Sequence, residues 1–172
     1  GENYTLPIQR GKFMLNTFLC DRLPDIPVPD IEPLAPEENQ TVREALESHV
    51  QPACAMCHDL MDPLGLPFEQ FDHTGRYRDE ELERPVVTTG ELNGSGDETD
   101  GAVADPVDLV TRLAESSRSR QCFVRHSFEF WFGTLPTPRV ACALAQSDEA
   151  FAEDGDFVGL LARLFSSDAF RY

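Results

Sequence analysis

Cys54-Ala55-Met56-Cys57-His58 is the stretch on which the reading of this chain turns. Two thiols three residues apart fall on one helical turn, where each can add across a haem vinyl group. The imidazole that follows then lies against one porphyrin face and ligates the iron. C-x-x-C-H is the attachment signature of c-type haem. The pentapeptide therefore predicts one covalent haem c on Cys54 and Cys57, with His58 as the proximal ligand. Other uses of a C-x-x-C pair are less well served. A zinc site wants two more Cys or His at tight spacing, and the chain has no second C-x-x-C and no H-x-x-x-H. A thioredoxin-like pair sits in a βαβ pattern, and no Val/Ile-rich strand run precedes Cys54.

Composition bounds the rest. A chain of 172 residues is one ordinary domain or two small ones, and 41% hydrophobic residues suffice for a core. Against 14 Lys+Arg stand 31 Asp+Glu, a net charge of −17. That balance argues against nucleic acid, which wants a basic stripe, and against anionic membrane surfaces. It fits a secreted protein, a protein steered to a basic partner, or simply a solvated acidic surface. No stretch approaches the ~20 apolar residues of a membrane span. The chain opens Gly1-Glu2-Asn3-Tyr4, without the basic and apolar regions of a signal peptide. Haem c is attached outside the cytoplasm, so the expected location is periplasmic or extracellular, and the chain reads as a mature form or a fragment of a larger exported one. Of five cysteines, Cys20, Cys122 and Cys142 remain after the haem pair. One disulfide plus one thiol is the natural arithmetic. Cys122–Cys142, on what read as consecutive helices, is the first choice, and Cys20–Cys122 is the alternative.

Along the chain, residues 8–20 read as an amphipathic helix with Phe13, Leu15, Phe18 and Leu19 at apolar spacing. Pro24, Pro27, Pro29, Pro33 and Pro36 mark an extended strap. Thr41-Val42-Arg43-Glu44 is a capping box that starts a helix reaching Val50 or Gln51. A short helix carries Cys54 to Met61 and ends near Asp62-Pro63-Leu64-Gly65. Residues 84–92 hold the only β-like run, expected to pair with Tyr77-Arg78 in a small hairpin. Asn93 to Asp100 reads as a flexible acidic loop and a boundary. Its Asp97, Glu98 and Asp100 could offer oxygens to calcium, but the EF-hand spacing is absent and a solvated loop is the better reading. Four helices follow: from Asp105-Pro106 to about Ser116, then 119–132, 137–153 and 156–166. The fold class is mostly α: a cytochrome c-like haem module with a small β-hairpin over residues 1–92, then a helical C-terminal module over 93–172.

The haem needs further ligands. Met61, three residues after His58, lies on the same side and suits packing. His49 falls on the apolar face of its helix and is the leading candidate for the second iron ligand. Met14, His73, His126 or an open position are the alternatives. Propionates want cations, and Arg76 and Arg78 follow the attachment site closely, with Arg10 and Lys12 in the first helix. A plain salt bridge with one of many acids explains these equally well. Tyr77, Phe68, Phe71 and Trp131 are candidates to pack the porphyrin.

The run C-A-M-C-H at 54–58, Asp62-Pro63-Leu64-Gly65, Glu69-Gln70-Phe71-Asp72 and Gly75-Arg76-Tyr77-Arg78 resembles the C-terminal part of planctomycete-type cytochrome c proteins. These are large exported bacterial proteins built from several domains of unknown function. Arg10-Gly11-Lys12-Phe13 through Cys20 resembles the opening of their haem-bearing module, and His49 matches its pattern. Gly90 to Tyr172, with Cys122 and Asp168-Ala169-Phe170-Arg171, resembles their closing helical module. The resemblance implies one covalent haem and export, and names no substrate. Three function classes remain: a mono-haem electron carrier whose acidic face docks a basic redox protein partner, with other subunits of a larger assembly; a haem enzyme with an open sixth position, where His49, or Glu69 with Asp72, would act as acid or base; and a structural haem module. Nothing forms a triad, a phosphate loop or a paired-acid site, which favours the electron carrier.

Overall fold

Pro7 opens the first helix, at the position where a missing N–H costs nothing. In the computed structural model, which describes residues 4–23, 35–49 and 52–168, this helix (α1) spans Pro7–Phe18. It crosses the helix that carries the C-x-x-C-H motif (α3, Pro52–Gly65) with backbone against backbone. Two glycines make the approach possible. A Cβ on Gly11 would collide with the Met61 carbonyl, and one on Gly65 would collide with the Pro7 carbonyl. Helix α3 runs through Pro63 to Gly65 and continues into a 3-10 turn over Leu66–Gln70.

Between them α2 spans Val42–His49. Its capping box is formed: Glu44 Oε2 accepts from Thr41 N at 2.9 Å, and Thr41 Oγ1 accepts from Glu44 N at 3.2 Å. The expected extension to Val50 or Gln51 lies outside the described residues, as do Pro24, Pro27, Pro29 and Pro33 of the strap.

The strands differ from expectation in their partners. Glu80–Glu81 (β1) pairs antiparallel with Arg84–Pro85 (β2) across a turn at Leu82 and Glu83, both at positive φ. Gly90–Leu92 (β3) pairs with Gly101–Val103 (β4). Tyr77 meets Phe71 in an isolated bridge instead. The 84–92 run is thus split between two hairpins, because a two-residue turn and the 93–100 loop supply nearer partners. That loop is tightly bonded. Asp97 Oδ1 accepts from Thr99 N at 3.0 Å and from Ser95 Oγ at 2.9 Å, and its Oδ2 accepts from Ser117 N at 3.0 Å and from Ser116 Oγ at 3.1 Å. Asp100 Oδ1 accepts from Ser95 N at 2.9 Å. Hydroxyls and amides occupy the oxygens a cation would have taken.

Helices follow as the caps dictate. Asp105 caps α4 (Pro106–Glu115) by accepting from Val107 N and Asp108 N, and Ser116 caps α5 (Ser117–Phe132). Helix α5 ends at Gly133 and α6 (Ala141–Asp154) at Gly155, both left-handed. Asp156 caps α7 (Phe157–Ser166).

Two cores form. Met14, Leu15, Leu19, Met61, Leu64, Leu92, Val103, Leu109 and Leu113 join α1, α3, the β3–β4 hairpin and α4. Val124, Phe128, Leu160 and Leu164 join α5 and α7, with Leu144 and Phe151 of α6 packed on them. The disulfide is Cys20–Cys122, with Cys142 an exposed free thiol. Cys122–Cys142 is therefore overturned: Cys122 is buried against the end of α1, where Arg118 Nε also donates to Leu19 O at 2.8 Å. The described chain is mostly helical with two small strand pairs, and none of its helices is long and apolar enough to cross a membrane.

Candidate functional site

Helix α3 is amphipathic, and its faces sort the motif. Met61 and Leu64 point into the first core, while Met56 is 76% exposed. Cys54, Cys57 and His58 occupy the edge between, all partly buried, and Cys57 packs against the core. Both thiols are free. Asp62, one turn on, holds the imidazole: His58 Nδ1 lies 2.9 Å from Asp62 Oδ2. Its second oxygen, Oδ1, is buried with no partner. Burial pushes the Asp62 carboxyl upward, and the bond to His58 opposes it. A carboxylate on Nδ1 fixes the ring and leaves Nε2 for a metal. Two thiols and one oriented imidazole on adjacent turns are a donor set that fits covalent haem.

The expected propionate cations divide. Arg78 is engaged, its Nη2 2.9 Å from Glu69 Oε2 and its Nη1 3.5 Å from Glu81 Oε1. Arg10 closes the other side, with Nη1 3.3 Å from Glu69 Oε1 and bonds to the carbonyls of Phe68, Phe71 and Asp72. Thr5 Oγ1 donates to Glu69 Oε2 at 2.6 Å. Arg76 is exposed and makes no ion pair among the described residues. Tyr77 is exposed, edge-on to Phe71, and its Oη accepts from Gln70 Nε2 at 3.1 Å.

The candidates for a second iron ligand are scattered. His49 closes α2, and its side chain lies outside the described residues. Met14 and Met61 are buried in the first core. His73 is exposed in its loop. His126 stands by the disulfide, its Nε2 3.5 Å from Cys20 Sγ and its Nδ1 3.4 Å from Glu129 Oε2. Of the rings proposed to pack a porphyrin, Phe68 rests on the first core, and Trp131 is half-exposed on α5 beside Phe165. Asp62 has no role in the sequence reading, and Glu69 figures there only with Asp72 as an acid or base beside an open iron, not as the centre of an arginine cluster. The signals were present: an acid four residues after His58, and a lone acid closing the apolar run Leu64 to Phe68.

Residues 1–81 match the family model PSCyt3, described as a protein of unknown function (DUF1588). The name points to a planctomycete cytochrome-type domain, and the matched stretch contains α3, Asp62 and the Glu69 cluster. Neither a curated protein nor a solved structure matches the chain.

Proposed function

We propose that Cys54, Cys57 and His58 carry one covalent haem c and that the chain is an exported electron-transfer module. The observation that carries this reading is the edge of α3: two free thiols on one turn, and an imidazole held through Nδ1 by Asp62 with Nε2 left over. Bound haem supplies a one-electron couple at iron. The chain's own residues have defined tasks. The thiols become thioether anchors, so the group cannot dissociate. Asp62 holds the tautomer and the ring orientation and raises the basicity of Nε2. The backbone contact of α1 with α3 fixes the helix that presents all three donors.

His49 is the residue we assign to the opposite face, since the methionines at 14 and 61 are spent in the core and His126 lies at the disulfide. Arg76, in no ion pair among the described residues, is the better of the two loop arginines for a propionate, with Tyr77 beside it. The partner is a redox protein with a basic docking face, steered by the net charge of −17, within a larger periplasmic or extracellular assembly. The cytochrome-type name of the family matched over residues 1–81 agrees with this reading.

The test is the optical spectrum of the chain exported by a host that matures c-type cytochromes, oxidised and reduced, with and without carbon monoxide. Sharp low-spin bands indifferent to carbon monoxide are expected, with His49→Ala becoming high-spin. A wild-type iron that takes carbon monoxide readily would replace electron transfer with an open-site haem enzyme.

A further inference from the structure

Away from α3, the disulfide belongs to a donor set larger than itself. Cys122 and His126 are four residues apart on α5 and share one face. Cys20 reaches them from just beyond the end of α1. Cys20 Sγ, Cys122 Sγ and a His126 ring nitrogen all lie within 4.8 Å of one another. His126 Nε2 is the nitrogen turned to the sulfurs, 3.5 Å from Cys20 Sγ. Its Nδ1 stands 3.4 Å from Glu129 Oε2, and Glu129 Oε1 in turn accepts from Arg125 Nε at 2.8 Å. A carboxylate on one imidazole nitrogen fixes the ring and leaves the other for a metal. Two sulfurs, one oriented imidazole and a braced carboxylate behind it are the donors of a thiolate–imidazole metal site, with the sulfurs joined to each other in the oxidised chain. The group is reachable from solvent. Cys20 is partly exposed, and His126 keeps 40% of its side-chain surface and lines the cleft between α1 and α5.

We propose that two-electron reduction of Cys20–Cys122 turns this cluster into a zinc site, with Cys20 Sγ, Cys122 Sγ and His126 Nε2 as ligands and water in the fourth position. A dithiol supplies the electrons. One of its thiolates attacks Cys20 Sγ, and the S–S bond breaks with its electron pair on Cys122. The second thiolate then releases Cys20, the reductant leaves as its own disulfide, and its two protons pass to the cysteines. Zinc(II) displaces those two protons, and the two thiolates balance its charge. Across a tetrahedral zinc the sulfurs stand about 3.8 Å apart. Cys20, outside any helix, is the residue that moves, while Cys122 stays within α5. The end of α1 is thus tied to α5 in two ways, by the S–S bond when oxidised and by the metal when reduced. The cluster contains no α3 residue, so it stands apart from the haem reading.

The experiment is zinc(II) titration of the full chain, oxidised and phosphine-reduced, carrying Cys54→Ser and Cys57→Ser so that the motif thiols neither compete for zinc nor call for haem. Cys142, exposed on α6, is a thiol in both forms and cancels in the comparison. The reduced chain is expected to bind one zinc at least about a hundredfold more tightly than the oxidised chain. Zinc is expected to raise the melting temperature of the reduced chain and to leave that of the oxidised chain unmoved. His126→Ala, on a partly exposed residue, leaves the disulfide free to form and is expected to cost the reduced chain at least about tenfold in zinc affinity. Zinc uptake that does not depend on reduction, an unmoved melting temperature of the reduced chain, or equal affinity with and without the imidazole would overturn the proposal.

Discussion

Glu69 is 1% exposed and holds three partners from the start of the chain and from its own loop. Removing one member of a buried ion pair costs about 3–5 kcal/mol. Arg10 and Arg78 keep 27% and 21% of their side-chain surface, so Glu69→Ala should cost less, about 2–3 kcal/mol by denaturant unfolding. Its pH dependence has a definite sign. Burial raises the Glu69 carboxyl above its ordinary 4.5, against the pull of Thr5, Arg10 and Arg78. A raised carboxyl stays protonated in the fold after the unfolded chain has ionised. Its contribution is full below 4.5 and falls as pH rises through the folded value. Wild type should therefore lose stability relative to Glu69→Gln over that rise, and parallel curves would refute the assignment. At this scale the sequence speaks unevenly. The placing of Cys54, Cys57 and His58 on one helix is legible because the motif spans little more than one turn. Arg78 is not, because a cation with Asp79, Glu80, Glu81 and Glu83 within five residues and Glu69 nine away does not announce which it meets.

The elements were the most legible part, since caps and apolar stripes are local. Thr41 with Glu44, Asp105 before Pro106, and Asp156 each start a helix where their side chains can accept backbone N–H groups. Strand pairing was not legible, because partner choice depends on turns and loop bonds rather than on the run itself. The α1–α3 crossing predicts that Gly11→Ala is severe. A methyl there has backbone, not a flexible side chain, in its way, and overpacking of about 3 kcal/mol or more should lower the melting temperature sharply. An unchanged melting temperature would contradict the crossing. In the 93–100 loop, the hydrogen bonds of Thr99, Ser95 and Ser117 hold the Asp97 carboxyl well below its ordinary 3.8. A lowered carboxyl contributes stability above 3.8 and loses it as pH falls. Asp97→Asn should flatten acid unfolding below about pH 4, and added calcium should leave the melting temperature unmoved. A calcium-dependent rise would mean that the loop holds an ion.

At the scale of the molecule, Cys20–Cys122 ties the end of α1 to α5 across 102 residues of sequence. Closing a loop of that length restricts the unfolded chain strongly, and native disulfides typically contribute about 2–4 kcal/mol. Cys20→Ser should cost that much, and dithiothreitol should reproduce it in wild type. Equal stability of oxidised and reduced protein would make the bond ornamental. Cysteine count predicted one bridge and one thiol but ranked the wrong pair first. Neighbouring helices do not guarantee facing Cβ vectors, and the burial of Cys122 against α1 depends on a tertiary contact that no local pattern encodes. The first core likewise draws on residues from Met14 to Leu113, a span that no local pattern delimits.

The central claim is the covalent haem on α3, and the most direct measurement is the mass of the exported chain after unfolding, reduction and thiol alkylation. The account predicts a mass increased by one haem, with Cys20, Cys122 and Cys142 alkylated and Cys54 and Cys57 protected as thioethers. Five alkylated cysteines and no added haem, from a host that loads other c-type cytochromes, would contradict it.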